Sequence, residues 1–456
     1  MPRSTAGRVL IALGIVIVVL LMISVGSWLY YKLTPVTLID PPPALLPILT
    51  QPIVAQAGVA PSAEVVRGRY LTIAGDCVSC HTRAGGMPFT GGRGIRTPFG
   101  IIYSPNLSGS AAGIAGWTPA QFFRALHEGI ADDGSHLYPA LPYTHFTVIS
   151  RADSDAILTW LKTVPGDAST PPSNRLPFPL DLRPVMIAWN ALNFAPHPYR
   201  TNSTRSAAWQ RGAYLVDGLG HCGSCHTPKT MLGADDASRR FYGGNIDNWV
   251  APDLTANARS GLGNWSADEI AEYLKAGRNA RSNAGGPMAE VVAYSTSLMS
   301  DADRDAIATY LKSLPAGPAT TVRSPAAAAM TAGAAIYGDA CSACHRVGGK
   351  GSPALFPPLG GSAALQQADA TNVIRVILGG ARTAPTLIRP STPSMPSFAW
   401  KLDDQQIADV ATYVRNSWGN HAKPVSESDV ERLRRQLKLR PAMTAIGTVV
   451  GGRTAS

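Results

Sequence analysis

The sequence predicts an all-α chain: three small helical domains in tandem behind one N-terminal transmembrane helix. Three observations predict it. The pattern Cys-x-x-Cys-His occurs at Cys77-Val-Ser-Cys80-His81, Cys222-Gly-Ser-Cys225-His226 and Cys341-Ser-Ala-Cys344-His345, and these copies use all six cysteines. A helical phrase precedes each copy and an amphipathic one closes each repeat. Residues 9–31 form a run without a charged side chain. A chain of 456 residues has the length of roughly three ordinary domains, which agrees with the motif count.

In chain order, the run 9–31 comes first, and at about 1.5 Å per helical residue it exceeds the ~30 Å of a bilayer's hydrocarbon. A cleaved signal peptide is the rival reading, but the run is longer than a usual signal core and no Ala-x-Ala site follows it. Trp28, Tyr30 and Tyr31 look like an interfacial belt, and Arg3 with Arg8 places the N-terminus in the cytoplasm. The expectation is therefore a single-pass protein of the bacterial inner membrane, with everything after residue 33 on the periplasmic side.

The three motifs point to covalent haem c. Two thiols spaced by two residues can form thioethers to the haem vinyl groups, and the adjacent histidine is placed to ligate the iron. A zinc half-site or a redox Cys-x-x-Cys explains one copy but not three with the histidine repeated. A disulfide within each motif would close a tiny strained loop and leave the histidine unexplained. The expected cofactors are three covalent haems, at Cys77 and Cys80, Cys222 and Cys225, and Cys341 and Cys344, with His81, His226 and His345 as proximal ligands.

Around these motifs the repeats align. Arg67-Gly-Arg-Tyr-Leu, Arg211-Gly-Ala-Tyr-Leu and Gly333-Ala-Ala-Ile-Tyr open them; Ser104-Pro-Asn-Leu, Ala251-Pro-Asp-Leu and Phe356-Pro-Pro-Leu follow the motifs. Trp117-Thr-Pro and Trp265-Ser-Ala read as helix N-caps. Asp155-Ala-Ile-Leu-Thr-Trp-Leu-Lys, Asp305-Ala-Ile-Ala-Thr-Tyr-Leu-Lys and Gln406-Ile-Ala-Asp-Val-Ala-Thr-Tyr-Val read as packed terminal helices. This order resembles the cytochrome c fold. The predicted boundaries are 1–33 anchor, 34–62 linker, 63–165 first domain, 166–205 interdomain segment, 206–316 second domain, 317–330 linker, 331–420 third domain and 421–456 tail. The stretch 176–194 is too apolar for a free linker and is expected to pack on a haem domain, a partner subunit or the membrane surface.

A haem that only transfers electrons commonly has both axial positions filled. Met395, 54 residues after Cys341, and Met288, 66 residues after Cys222, sit in Pro-flanked loops before the terminal helix. Core filling is the rival reading of each methionine. In the first repeat Tyr138-Pro-Ala-Leu-Pro-Tyr puts Leu141 in the methionine slot, and leucine cannot ligate iron. His145, four residues on, is the candidate ligand, with Met87, His127 and His136 as competitors. The alternative is that His145 bonds a propionate or loop carbonyl and leaves that iron open. His221 reads as surface or propionate-facing.

From about 63 to 420 the chain resembles the three-haem cytochrome c subunits of membrane-bound bacterial dehydrogenases for alcohols, aldehydes, gluconate and nicotinate-like heterocycles. Arg211-Gly-Ala-Tyr-Leu with its haem motif, Gly286-Pro-Met-Ala-Glu-Val-Val, Met395-Pro-Ser-Phe and Tyr413-Val-Arg-Asn-Ser-Trp-Gly carry the resemblance. It implies no catalysis by this chain, a separate catalytic dehydrogenase subunit, and electron relay to ubiquinone or a terminal acceptor. The phrase Leu137-Tyr-Pro-Ala-Leu-Pro-Tyr-Thr-His-Phe looks more like the branch paired with molybdopterin hydroxylases and a small iron-sulfur subunit, such as membrane-bound aldehyde dehydrogenase. The alternatives are a quinoprotein alcohol dehydrogenase subunit, or a multihaem enzyme or sensor with an open first haem. The formal charge of +10 fits an acidic partner, anionic lipid or a plain solvated surface, and no basic run interleaved with aromatics points to nucleic acid.

Overall fold

A computed structural model describes residues 5–33, 47–51, 60–246, 248–317, 322, 324–353 and 355–439. Most of the expected 34–62 linker, part of the 317–330 linker and the tail beyond 439 lie outside the described residues. The chain divides into two compact units, Met1–Ser224 with Lys229–Asp236 and Tyr294–Ile307, and Cys225–Pro228 with Ala237–Ala293 and Ala308–Ser456.

The first helix, α1, runs Thr5–Leu33, and a short α2 covers Pro47–Thr50. Among the described residues no helix is long and apolar enough to cross a membrane. The expected transmembrane anchor, and with it the single-pass inner-membrane placement, is corrected accordingly; Arg3 lies outside the described residues.

In the first unit α3 (Ala63–Ala74), capped by Ser62, crosses α7 (Arg151–Leu161), capped by Ser150. Gly68 makes the crossing possible, since a Cβ there would lie 1.8 Å from the Ala156 carbonyl oxygen. Between them come α4 (Cys77–His81), the hairpin β1 (Gly94–Thr97) with β2 (Gly100–Tyr103), α5 (Pro119–Glu128) and α6 (Tyr143–Phe146). Thr118 caps α5 in a capping box with Gln121, so the expected Trp-Thr-Pro helix start is found there. Leu71, Ile157, Trp160 and Leu161 are buried, and Phe89 meets Trp160 edge-to-face at 5.3 Å.

The apolar 176–194 segment folds back on the first repeat. Leu176 and Met186 bury Tyr138, the Tyr138 hydroxyl donates to Leu180 O at 2.8 Å, and Arg183 lies 4.4 Å from the Tyr138 ring centre. Helix α8 (Val185–Asn193) adds Asn190, which accepts from the Tyr143 hydroxyl at 2.6 Å.

The opening helix of the second repeat, α9 (Ala207–Ala213), continues as a π-helical turn over Tyr214–Leu219. Gly212 precedes Cys222 by ten residues where Gly68 precedes Cys77 by nine, and the wider turn accommodates the extra residue.

Across the chain's remaining elements run α10 (Gly223–His226), β3 (Gly244–Ile246) with β4 (Trp249–Ala251), α11 (Ala267–Ala276), α12 (Pro287–Tyr294) and α13 (Asp301–Lys312). Ser266 and Glu269 form the capping box of α11. Then follow α14 (Ala327–Ala340), α15 (Ser342–His345), α16 (Thr371–Gly379), β5 (Ala381–Arg382) paired with β6 (Ser394–Met395), α17 (Asp404–Arg415) and α18 (Glu427–Gln436). In the second unit α14 crosses α17 at Gly333, where a Cβ would lie 2.3 Å from Asp409 O. The aromatic trio Tyr337, Tyr413 and Trp418 packs beside the crossing at 4.9 to 5.6 Å. Helix α18 is part of this core: Val430 and Leu433 are buried, and Arg434 donates to Ala399 O at 2.8 Å and Leu402 O at 2.9 Å.

Candidate haem-binding sites

The first Cys-x-x-Cys-His motif occupies the short helix α4, and in the second and third the leading Cys222 and Cys341 directly precede α10 and α15. Cys222 belongs with the first unit, whereas Cys225 and His226 belong with the second. In all three the histidine Nδ1 donates to a proline carbonyl: His81 to Pro105 O at 2.8 Å, His226 to Pro252 O at 2.7 Å and His345 to Pro357 O at 3.2 Å. A carbonyl can only accept, so the proton sits on Nδ1 and Nε2 keeps the lone pair that a metal requires. Burial pushes the His81 imidazole down to about 4 and lowers His226 and His345 as well, outweighing the proline carbonyls that pull the other way. Neutral imidazole is the ligating form.

The loops that bring the prolines round repeat too. Gly91, Gly243 and Gly351 donate to the carbonyls of His81, His226 and His345 at 2.8, 2.9 and 3.0 Å. Leu107, Leu254 and Leu359 donate to Phe89, Phe241 and Gly349 at 2.8, 2.9 and 2.7 Å. Phe89, Phe241 and Gly349 share a left-handed backbone, with φ of 66°, 64° and 64°. The Thr82 and Thr227 hydroxyls accept from Phe89 N and Phe241 N at 3.1 and 3.2 Å, which helps hold the two phenylalanines in that conformation.

The donor set, two thiols beside a neutral imidazole, fits haem c. Burial raises the Cys77 thiol to about 12 and the Cys341 thiol to about 11. Among the described residues no group of three or more His, Cys, Asp or Glu is arranged to hold a metal ion. Arg278, 5 % exposed and ten residues before Met288, has no hydrogen-bond partner for Nε and Nη1. A buried guanidinium with two donors to spare fits a haem propionate.

On the expected distal side, Met288 lies in the first turn of α12, half-buried against Ala284, Ala289 and Val292. Met395 lies on β6 opposite Ala381 and packs on the core of the second unit. His145 lies in α6, with Nδ1 3.1 Å from Asp217 O and Nε2 2.8 Å from Asp235 Oδ2. Asp235 also pairs with Lys229. Burial works to raise the Asp235 carboxyl, but His145 and Lys229 hold it below the usual carboxylate range. His221 is partly buried, its Nδ1 3.1 Å from Leu219 O and its ring edge-to-face with Phe146 at 5.3 Å. Of the remaining candidates, Met87 is 41 % exposed, the His136 Nδ1 lies 3.0 Å from Asn190 Nδ2, and His127 stacks on Phe123 at 4.9 Å.

Sequence reasoning missed the carbonyls of Pro105, Pro252 and Pro357. Their signal was present, because the x-Pro-x-Leu phrase follows every motif, but its reach varies: 24, 26 and 12 residues separate histidine and proline.

The family model for cytochrome c matches residues 210–315 and 330–418. The chain is 38% identical over 405 residues to a gluconate 2-dehydrogenase cytochrome c subunit of Pantoea cypripedii, covering 82% of this chain and 90% of that one. It is 39% identical over 405 residues to an alcohol dehydrogenase (quinone) cytochrome c subunit of Gluconobacter oxydans, covering 83% and 84%. It is 36% identical over 419 residues to a fructose dehydrogenase cytochrome subunit of Gluconobacter japonicus, covering 85% and 86%.

Proposed function

Because the chain belongs to the family of cytochrome c subunits of bacterial dehydrogenases, we propose that it carries three covalent haems c and passes electrons from a separate catalytic subunit to ubiquinone or another terminal acceptor. One observation supports the count above all: the histidine-to-proline hydrogen bond recurs at each of the three motifs. In this reading Cys77 and Cys80, Cys222 and Cys225, and Cys341 and Cys344 hold the porphyrins, and His81, His226 and His345 ligate iron through Nε2. Haem supplies one-electron transfer; the protein sets its orientation and potential through the ligands and their hydrogen bonds. Nothing in the arrangement calls for a substrate-binding residue on this chain.

The catalytic partner in this reading is a molybdopterin subunit with a small iron-sulfur subunit, a choice that rests on the Leu137–Phe146 phrase. A quinone-dependent alcohol dehydrogenase is the second reading, favoured by a relative of that name at 39% identity. Purifying the intact complex separates them. Molybdenum and iron in excess of haem are expected, with the haem bands reduced on addition of an aldehyde or a nicotinate-type ring. A complex without molybdenum that is reduced by an alcohol would establish the second reading. A chain that purifies alone and accepts electrons from no dehydrogenase would overturn both.

The axial assignments make a separate prediction. Met288→Ala and Met395→Ala should each remove one near-infrared sulfur-to-iron charge-transfer band and leave the other. Retention of both bands in both variants would show that the repeats have been misaligned.

A further inference from the structure

The distal loops of the first and second repeats open and close in the same way. Each loop leaves its helix through a left-handed glycine, Gly129 at φ 68° and Gly277 at φ 69°. Each then forms an isolated bridge, Ile130 with His136 and Arg278 with Asn283. Each returns to the cap with one bond, Leu137 N to Gly129 O and Ala284 N to Gly277 O, both 2.7 Å. Four residues beyond that bond stand Leu141 in the first repeat and Met288 in the second. The third repeat gives the same correspondence by sequence, Pro139-Ala-Leu141-Pro142 against Pro393-Ser-Met395-Pro396. Leu141 therefore takes the place of a ligand, and it has no lone pair to offer.

The nearby imidazole of His145 has Nδ1 3.1 Å from Asp217 O and lies within ion-pair distance of Asp235, although its buried Nε2 makes no hydrogen bond. Ligation through Nε2 would part it from Asp235 and leave that half-buried carboxylate with Lys229 alone. The His136 Nδ1 lies 3.0 Å from Asn190 Nδ2, the His127 ring stacks on Phe123, and Met87 is at the surface.

We propose that the first haem has no sixth protein ligand, because Leu141 fills the methionine position, and that its ferrous iron is a binding site for a small neutral diatomic molecule of the carbon monoxide type. The inference rests on haem attachment at Cys77 and Cys80. A five-coordinate ferrous haem leaves one axial position vacant, and an apolar distal residue favours an uncharged ligand over an anion.

Carbon monoxide is the probe. The reduced full-length chain should show a carbon monoxide shift in one third of its haem absorbance. Leu141→Met should abolish the shift and add one near-infrared charge-transfer band. His145→Ala should bind carbon monoxide as the parent does. Absence of any shift in the parent chain would overturn the proposal, and a shift seen only after His145→Ala would overturn it and make His145 the ligand. Haem stoichiometry by pyridine haemochrome and intact mass tells this failure from the other: a chain with two haems and unmodified Cys77 and Cys80 would refute the three-haem reading itself.

Discussion

Gly333→Val is expected to destabilise the second unit by about 3 kcal/mol or more, the upper range for overpacking a core. A Cβ at 333 would meet Asp409 O at 2.3 Å and the Tyr413 Cβ at 2.6 Å. Both are parts of α17, one of them backbone, so neither can swing aside as a long side chain would. The crossing must open, and Tyr413 on α17 then parts from Tyr337 on α14. A control lies on the same helix. Gly338 has nothing within 4 Å of where an alanine methyl would sit, so Gly338→Ala should raise stability by roughly 0.5–1 kcal/mol through the lower entropy of the unfolded chain. Thermal unfolding followed by circular dichroism reads both signs. A Gly333→Val chain that melts with the parent would mean that α14 does not cross α17 at this point.

The helical repeat was legible because its signals are local. Thr118 and Ser266 announced the starts of α5 and α11, and the apolar spacing of the closing phrases announced α7, α13 and α17. The Cys-x-x-Cys-His motifs were legible for the same reason, since each is five consecutive residues. What escaped the sequence depends on partners far along the chain. The Pro105 carbonyl matters only because the loop returns it to His81, and backbone acceptors leave no residue-type signature. The π-helical turn over Tyr214–Leu219 answers one extra residue, which an alignment of phrases passes over. The apolar 176–194 segment has a helix-sized hydrophobic content, yet its target, Tyr138, is forty residues upstream. Helix α18 lay in what composition suggested was a tail, because its many charges mask the two buried positions, Val430 and Leu433, that dock it.

Asp303→Ala should destabilise the first unit by roughly 2–3 kcal/mol, and the reason is a reciprocal exchange between the first two repeats. Tyr70 of the first repeat donates to Asp303 of the second at 2.6 Å and accepts from Ser300 N at 3.1 Å. Tyr214 of the second repeat donates to Asp153 of the first and accepts from Ser150 N at 3.2 Å. Each aspartate also holds the arginine of its own repeat, Arg67 with Asp153, and Arg211 with Asp303 in a two-point contact at 2.7 and 2.8 Å. The same four residue types therefore meet twice with the repeats exchanged, which ties the two opening helices to each other's closing helices. Burial works to raise the Asp303 carboxyl, but Arg211 and Tyr70 outweigh it and hold it below the usual range. A depressed folded-state value means that the contribution is complete above the unfolded carboxylate value of about 4 and is lost as the pH falls through the lower, folded one. Urea unfolding at neutral pH should therefore separate the parent from Asp303→Ala, and the gap should narrow as the pH is taken from 5 towards 2. Part of the loss is the stranding of Arg211, whose side chain is only about one-third exposed. The double variant Arg211→Ala/Asp303→Ala should accordingly be more stable than the sum of the two single losses predicts. A gap independent of pH would show that Asp303 acts by packing and not by its charge.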